Sequence, residues 1–262
     1  MTNNIISLPV ETLPSKGYNY KFKAVNIPRM VFSEILDYQA DMERCKNETS
    51  EFITLLKDIV LTIPNGENIL LYDAIPIIAV RIYNSTAETL TDFIKIKYEC
   101  PVHHKKETLE VRLKNFRFND MNPLLKKIKA VTIHGKAYDF VMPTVKDFIE
   151  ITETFRLKAP VNNALKYFYL LSMFKDAYNP KHQLEILGAL KTATSKDIVV
   201  LNSLYEMITG AFNGFMVTCN NESEPVAVRL NSISPVTDIF QNILESENLD
   251  EAAFDLRKDN ED

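Results

Sequence analysis

Hydrophobic and polar positions switch period several times along the chain, and each switch predicts an element. The segment "LPSKGYNY" from Leu13 to Tyr20 combines Pro14 with Gly17 and reads as a turn feeding a short strand through Tyr20, Phe22 and Ala24. After Pro28 the period becomes helical. Met30, Val31, Ile35, Tyr38 and Met42 form one apolar stripe, and Phe52, Leu55, Leu56, Ile59 and Val60 form another after the polar break "KNETS". Pro64-Asn65-Gly66 ends the second of these helices. A largely apolar segment follows from Ile69 to Tyr83, with Asp73 and Arg81 as its charged members. Pro76 is harmless in a first turn and would kink anything longer.

Alternation takes over in "FIKIKY", Phe93 to Tyr98, and returns through Leu109, Val111 and Leu113, which predicts a hairpin whose tip is residues 99 to 107. A second hairpin is expected from Ile128 to Val141, turning at His134-Gly135. Thr144, with Asp147 three positions on, approximates a capping box. It should start a helix with Val145, Phe148, Ile149 and Phe155 on one face. Helical segments are predicted from Asn163 to Tyr178, His182 to Leu190 and Ser195 to Phe212, the last with Thr194 and Asp197 in capping positions. Strands from Phe215 to Cys219 and from Val226 to Leu230 complete the series.

The same order, a short strand or hairpin, a run of helical segments and a Cys-tipped hairpin, occurs twice. Cys100-x-x-His103 is followed by Val111-Arg112-Leu113, and Cys219-x-x-Glu222 by Val228-Arg229-Leu230. The expected class is therefore α+β, built of two similar units with zinc-ribbon-like knuckles. Residues 1–122 would form the first unit (strand, helices, hairpin), residues 123–244 the second (hairpin, helices, hairpin), and residues 245–262 an acidic, disordered tail.

Charge sharpens this division. The net charge is −5, yet residues 245–262 alone carry eight acidic and two basic side chains, so the rest of the chain sits near +1. Leu249, Ala252, Ala253 and Phe254 in the tail could let it fold as a short helix on a partner. The body is too weakly basic for phosphate-driven affinity, so nucleic acid is not expected as a partner. No apolar run approaches the roughly 18 residues of a membrane span, and "MTNNIISLPVETLPSKG" lacks the charged and apolar regions of a secretory signal. A cytoplasmic location follows as the expectation. Three widely spaced cysteines, Cys45, Cys100 and Cys219, fit a reducing compartment better than a disulfide framework.

The candidate chemistry is sparse. The six glycines provide neither G-x-G-x-x-G nor a P-loop, which removes the two commonest nucleotide-binding loops. Two knuckles could assemble a zinc site from Cys100, His103 or His104, Cys219 and Glu222. Cys₂His with a carboxylate is an unusual structural set, so two hairpins packed over an eroded site are the preferred expectation, with no cofactor required. Cys100 beside His103 or His104 lacks a third group to fix the base, and His134 reads as a solvated turn residue. His182 falls near a helix start, and Glu150 and Glu153 share a polar helix face. No catalytic constellation is expected. The near-continuous apolar run "ALKYFYLLSMF" predicts a helix buried in its own domain or in a partner.

With "LPSKG", "LLYDAIPIIAVRIYNST", the "YECP" knuckle, "YDFVMPTVKDFIEI" and a final "GFMVTC", the chain resembles the baseplate hub assembly proteins of contractile-tailed, T-even-type bacteriophages, from about residue 12 to 245. The resemblance implies a non-enzymatic morphogenesis protein that works in the cytoplasm of the infected bacterium and builds, or becomes part of, the central hub of the tail baseplate. Its partners would be other baseplate or hub proteins, and self-association into an oligomer fits the same role. Relatives look as if they carry C-x-x-C in both knuckles. This chain departs from that pattern at His103 and Glu222.

Overall fold

The computed structural model describes residues 5–86, 93–99, 106–112, 120–155, 164–209, 215–218 and 225–228. Among these are seven α-helices and four antiparallel strand pairs, an α+β arrangement.

Strand β1, Ile5–Pro9, pairs with β2, Ala24–Pro28, so that Leu8 faces Val25 and Ile6 faces Ile27. Val25 and Ile27 are buried. The sequence predicts this strand earlier, through Tyr20, Phe22 and Ala24, of which only Ala24 belongs to it. Tyr20 instead ends a compact turn in which Lys16, Gly17 and Asn19 all take positive φ. Its hydroxyl is engaged by Asp73, which holds it out of any sheet.

Helix α1, Phe32–Glu43, and helix α2, Glu48–Leu55, follow as predicted. Asn47 caps α2 by accepting the Ser50 N–H at 2.9 Å. Beyond Leu55 the helix widens into a π-type segment, Leu56–Val60, where the Leu61 N–H reaches five residues back to the Leu56 carbonyl. Gly66 closes the following turn against this segment. A Cβ there would lie 1.9 Å from the Val60 carbonyl oxygen, so only glycine allows the approach.

Helix α3, Leu71–Thr86, is the centre of the molecule. Leu71, Tyr72, Ala74, Ile75, Ile77, Ile78 and Ala79 are all buried, as an all-round apolar helix requires. Pro76 removes the one backbone bond it would have donated to Tyr72 without ending the helix, because tertiary packing holds the turns on both sides. Most buried polar groups of α3 find partners, the Arg81 Nε being without one among the described residues. Asn84 donates to the Ile27 carbonyl at 3.1 Å, and Ser85 accepts the Met30 N–H at 3.0 Å while donating to the Arg81 carbonyl at 2.7 Å. Arg81, 1% exposed, donates to the Ile59 carbonyl at 2.6 Å, to Thr62 Oγ1, and to Glu34 Oε1 at 3.0 Å. The widened turn presents the carbonyl that this guanidinium needs.

Strands β3, Phe93–Glu99, and β4, Lys106–Arg112, pair from Phe93 with Arg112 to Glu99 with Lys106. Strands β5, Ala130–Ile133, and β6, Lys136–Asp139, form the predicted tight hairpin, with His134 at φ 52° and Gly135 at φ 76° supplying a two-residue turn. Helix α4, Val145–Phe155, begins at the expected box, in which Thr144 Oγ1 accepts the Asp147 N–H and Asp147 Oδ2 accepts the Thr144 N–H.

The predicted helix from Asn163 to Tyr178 is interrupted. Helix α5, Ala164–Ser172, stops where Phe174 turns extended and bridges Phe140; the Val141 N–H bonds the Met173 carbonyl at 2.8 Å. Cross-strand pairing outcompetes helix propagation because it buries Phe174 completely against Tyr138. Helices α6, Gln183–Lys191, and α7, Ser195–Thr209, follow, and strands β7, Phe215–Thr218, and β8, Pro225–Val228, pair antiparallel.

One hydrophobic core runs through these helices and draws on residues both before and after position 122. Phe52 of α2, Phe148 of α4 and Tyr169 of α5 meet at centroid distances of 5.0 to 5.7 Å, and Tyr205 of α7 meets Tyr169 edge-on at 5.8 Å. The starts of α3 and α4 are also joined through the backbone. Leu71 N–H donates to the Pro143 carbonyl and Val145 N–H to the Ile69 carbonyl.

Candidate functional site

The β5–β6 turn and the start of α7 are fastened together by a small polar cluster. Thr194 caps α7, its N–H and hydroxyl both donating to Asp197 Oδ2, at 3.0 and 2.7 Å. The other carboxylate oxygen of Asp197 accepts the His134 backbone N–H at 3.4 Å. The His134 ring adds Nε2 to Thr192 Oγ1 at 3.1 Å and Nδ1 to Asp197 Oδ2 at 3.6 Å. Hydrogen bonds from Thr194, and then the His134 side, hold the Asp197 carboxyl below the usual carboxylate range.

Hydroxyl, imidazole and carboxylate stand here in the order of a nucleophile relay, but the bonding differs from one. Thr192 Oγ1 donates its proton to the Gly188 carbonyl at 3.0 Å, so it accepts from the histidine. The imidazole-to-carboxylate distance exceeds hydrogen-bond length, and Asp197 spends one oxygen on Thr194 and the other on the His134 backbone N–H. The cluster works as a clamp between hairpin and helix. His134 thus sits in an exposed turn, as the sequence suggests, with partners that sequence spacing could not supply.

Beside the clamp lies a groove of about 780 Å³ between α7 and the segment Leu124–Thr132. Helix α7 sends Leu201 and Ile208 into the core, sets the buried Leu204 against the groove, and turns Val199, Val200, Ser203 and Met207 toward it. The opposite wall carries Leu124, Ile128 and Val131. Val199 is 65% exposed, Val200 47% and Leu124 52%, a solvent-facing apolar cluster on an otherwise polar rim. Lys196 lines the groove, and Lys127 and Lys129 adjoin Ile128 in the chain; none of the three is ion-paired with another described residue. The signal for this groove in the sequence was "DIVVL", whose consecutive apolar residues cannot all share one helix face.

The candidate metal ligands Cys100, His103 and Cys219, with His104 and Glu222, lie outside the described residues, as do the tip of the β3–β4 hairpin and the acidic tail. Among the described residues no cluster of three or more His, Cys, Asp or Glu side chains is placed to hold a metal. Cys45 is half-buried, with its thiol 3.3 Å from both the Asp41 carbonyl and Thr54 Oγ1. His182 precedes α6, with Nδ1 3.7 Å from Glu185, and Glu153 pairs with Lys57 at 2.7 Å on the exposed face of α4. No helix among the described residues is long and apolar enough to cross a membrane. No family model, curated protein or solved structure matches the chain.

Proposed function

We propose that the chain is a non-enzymatic morphogenesis protein of a contractile-tailed, T-even-type bacteriophage, which assembles or forms part of the central hub of the tail baseplate through protein contacts. Two lines support this. The ordered motifs from "LPSKG" to "GFMVTC" resemble that family, and the observation that carries the proposal is the apolar groove beside α7. Val199, Val200 and Leu124 are held in solvent by a clamped, capped framework, and a preformed apolar surface of this kind suits a helix or loop of a partner.

In this account the chain is a doubled scaffold of residues 1–122 and 123–244, each ending in a Cys-tipped hairpin, and works in the cytoplasm of the infected host. Its partners are other baseplate or hub proteins, or further copies of itself. Affinity purification of the tagged chain from infected cells, followed by identification of the proteins retained, tests it. Recovery of baseplate components supports the proposal, and recovery of the chain alone counts against it.

A further inference from the structure

We infer that the groove beside α7 is occupied in the isolated protein by the chain's own acidic segment around residues 249–256, which a partner must displace. The chemistry of the two surfaces is complementary. Lys196 lines the groove from α7 beside the clamped Asp197, and the exposed Lys127 and Lys129 flank the groove residue Ile128 in the chain, while Lys126 turns its ammonium over the Tyr18 ring. The segment from Glu245 to Asp262 has the opposite balance, eight acids to two bases. Within it Leu249, Ala252, Ala253 and Leu256 recur at i, i+3, i+4 and i+7, the spacing of one apolar helix face, and Asp250, Glu251, Phe254 and Asp255 occupy the positions between. An apolar stripe flanked by carboxylates matches an apolar groove flanked by lysines.

Reach permits the contact. Strand β8 ends at Val228, and the chain from Arg229 to Asn248 can span up to about 65 Å. This exceeds the roughly 18 Å radius of gyration of a compact chain of this length. Tethering also helps, because a linked segment acts at an effective concentration in the millimolar range, enough to hold a weak site closed until a stronger ligand arrives. The inference goes beyond the proposed role in phage assembly and is tested on the purified chain alone.

The test uses a fluorescent synthetic peptide of residues 245–262 and three full-length proteins: the natural chain, the double variant Leu249→Ser/Leu256→Ser, and that variant further changed by Val199→Asp/Val200→Asp. Fluorescence anisotropy should show the peptide binding the double variant at least tenfold more tightly than the natural chain, with binding lost in the quadruple variant and weakened by added salt. Circular dichroism shows whether all three are equally folded. Equal binding to the natural chain and the double variant, or no binding to either, overturns the inference. So does sedimentation showing that the natural chain dimerises while the double variant does not, since the segment would then seat on a second copy. None of these results bears on whether baseplate proteins co-purify with the chain.

Discussion

The Tyr20 phenol donates to Asp73 Oδ2 at 2.8 Å while its oxygen accepts the Leu70 N–H at 2.9 Å. Asp73 Oδ1 takes the Ser15 N–H at 2.9 Å. Through this relay the "LPSKG" turn is stitched to the start of α3, and Asp73, at the third position of that helix, also faces its positive end. Tyr20→Phe leaves a buried N–H and a buried carboxylate oxygen short of a partner. The expected loss is about 1–3 kcal/mol, or roughly 2–6 °C in melting temperature for a chain of this size, measured by calorimetry.

The same carboxylate sets a pH dependence. Burial pushes the Asp73 carboxyl above its ordinary range, although the bonds from Ser15 and Tyr20 oppose the shift. The folded state therefore binds this proton more readily than the unfolded state. The resulting stability is fully present below the unfolded carboxyl value of about 3.9 and is lost as pH rises through the folded value. Asp58 is raised by burial too and acts in the same direction. Denaturant unfolding at a series of pH values should accordingly show a smaller fall in stability above pH 4 for Asp73→Asn than for the natural chain.

Arg81 locks the widened turn after α2 to α3 through the Ile59 carbonyl and Glu34. Its charge alone does not suffice, because lysine cannot reproduce the planar fork. Arg81→Lys is expected to cost about 2–4 kcal/mol in urea unfolding, near the range for breaking a buried charged network and reduced because Glu34 is partly solvated.

On α7, residues two positions apart should behave in opposite ways. Val199→Asp, at a position 65% exposed, should cost only about 1.4 kcal/mol, the tenfold bias lost with the docked acidic segment. Leu201→Ala, at 4% exposed, should cost about 2–5 kcal/mol. Only the former should remove partner binding from a folded protein.

Zinc is not expected to hold the fold. Cys100, Cys219 and one of the adjacent His103 and His104 supply three nitrogen or sulfur donors, with Glu222 as the fourth ligand in place of a Cys₄ or Cys₂His₂ set. Excess EDTA should leave the melting temperature unchanged, and elemental analysis should find less than one zinc per chain.

Much of the fold was legible because local chemistry and tertiary packing agree. Thr144 with Asp147 and Thr194 with Asp197 announced two helix starts, and His134-Gly135 a hairpin turn. The failures fall where distant partners decide. Nothing local to Phe174 signals that Phe140 will pull it out of a helix, and nothing local to Tyr20 signals Asp73. The groove was the least legible feature, since its walls are distant in the chain and the "DIVVL" run acquires meaning only once Leu201 is placed inward.

In the proposed role, the surface around Val199 and Val200 docks baseplate proteins. The most direct test is paired purification of tagged natural chain and tagged Val199→Asp/Val200→Asp from infected cells. Baseplate or hub proteins retained by the natural chain and lost from the equally folded variant are the predicted result; equal retention by both, or none by either, would contradict it.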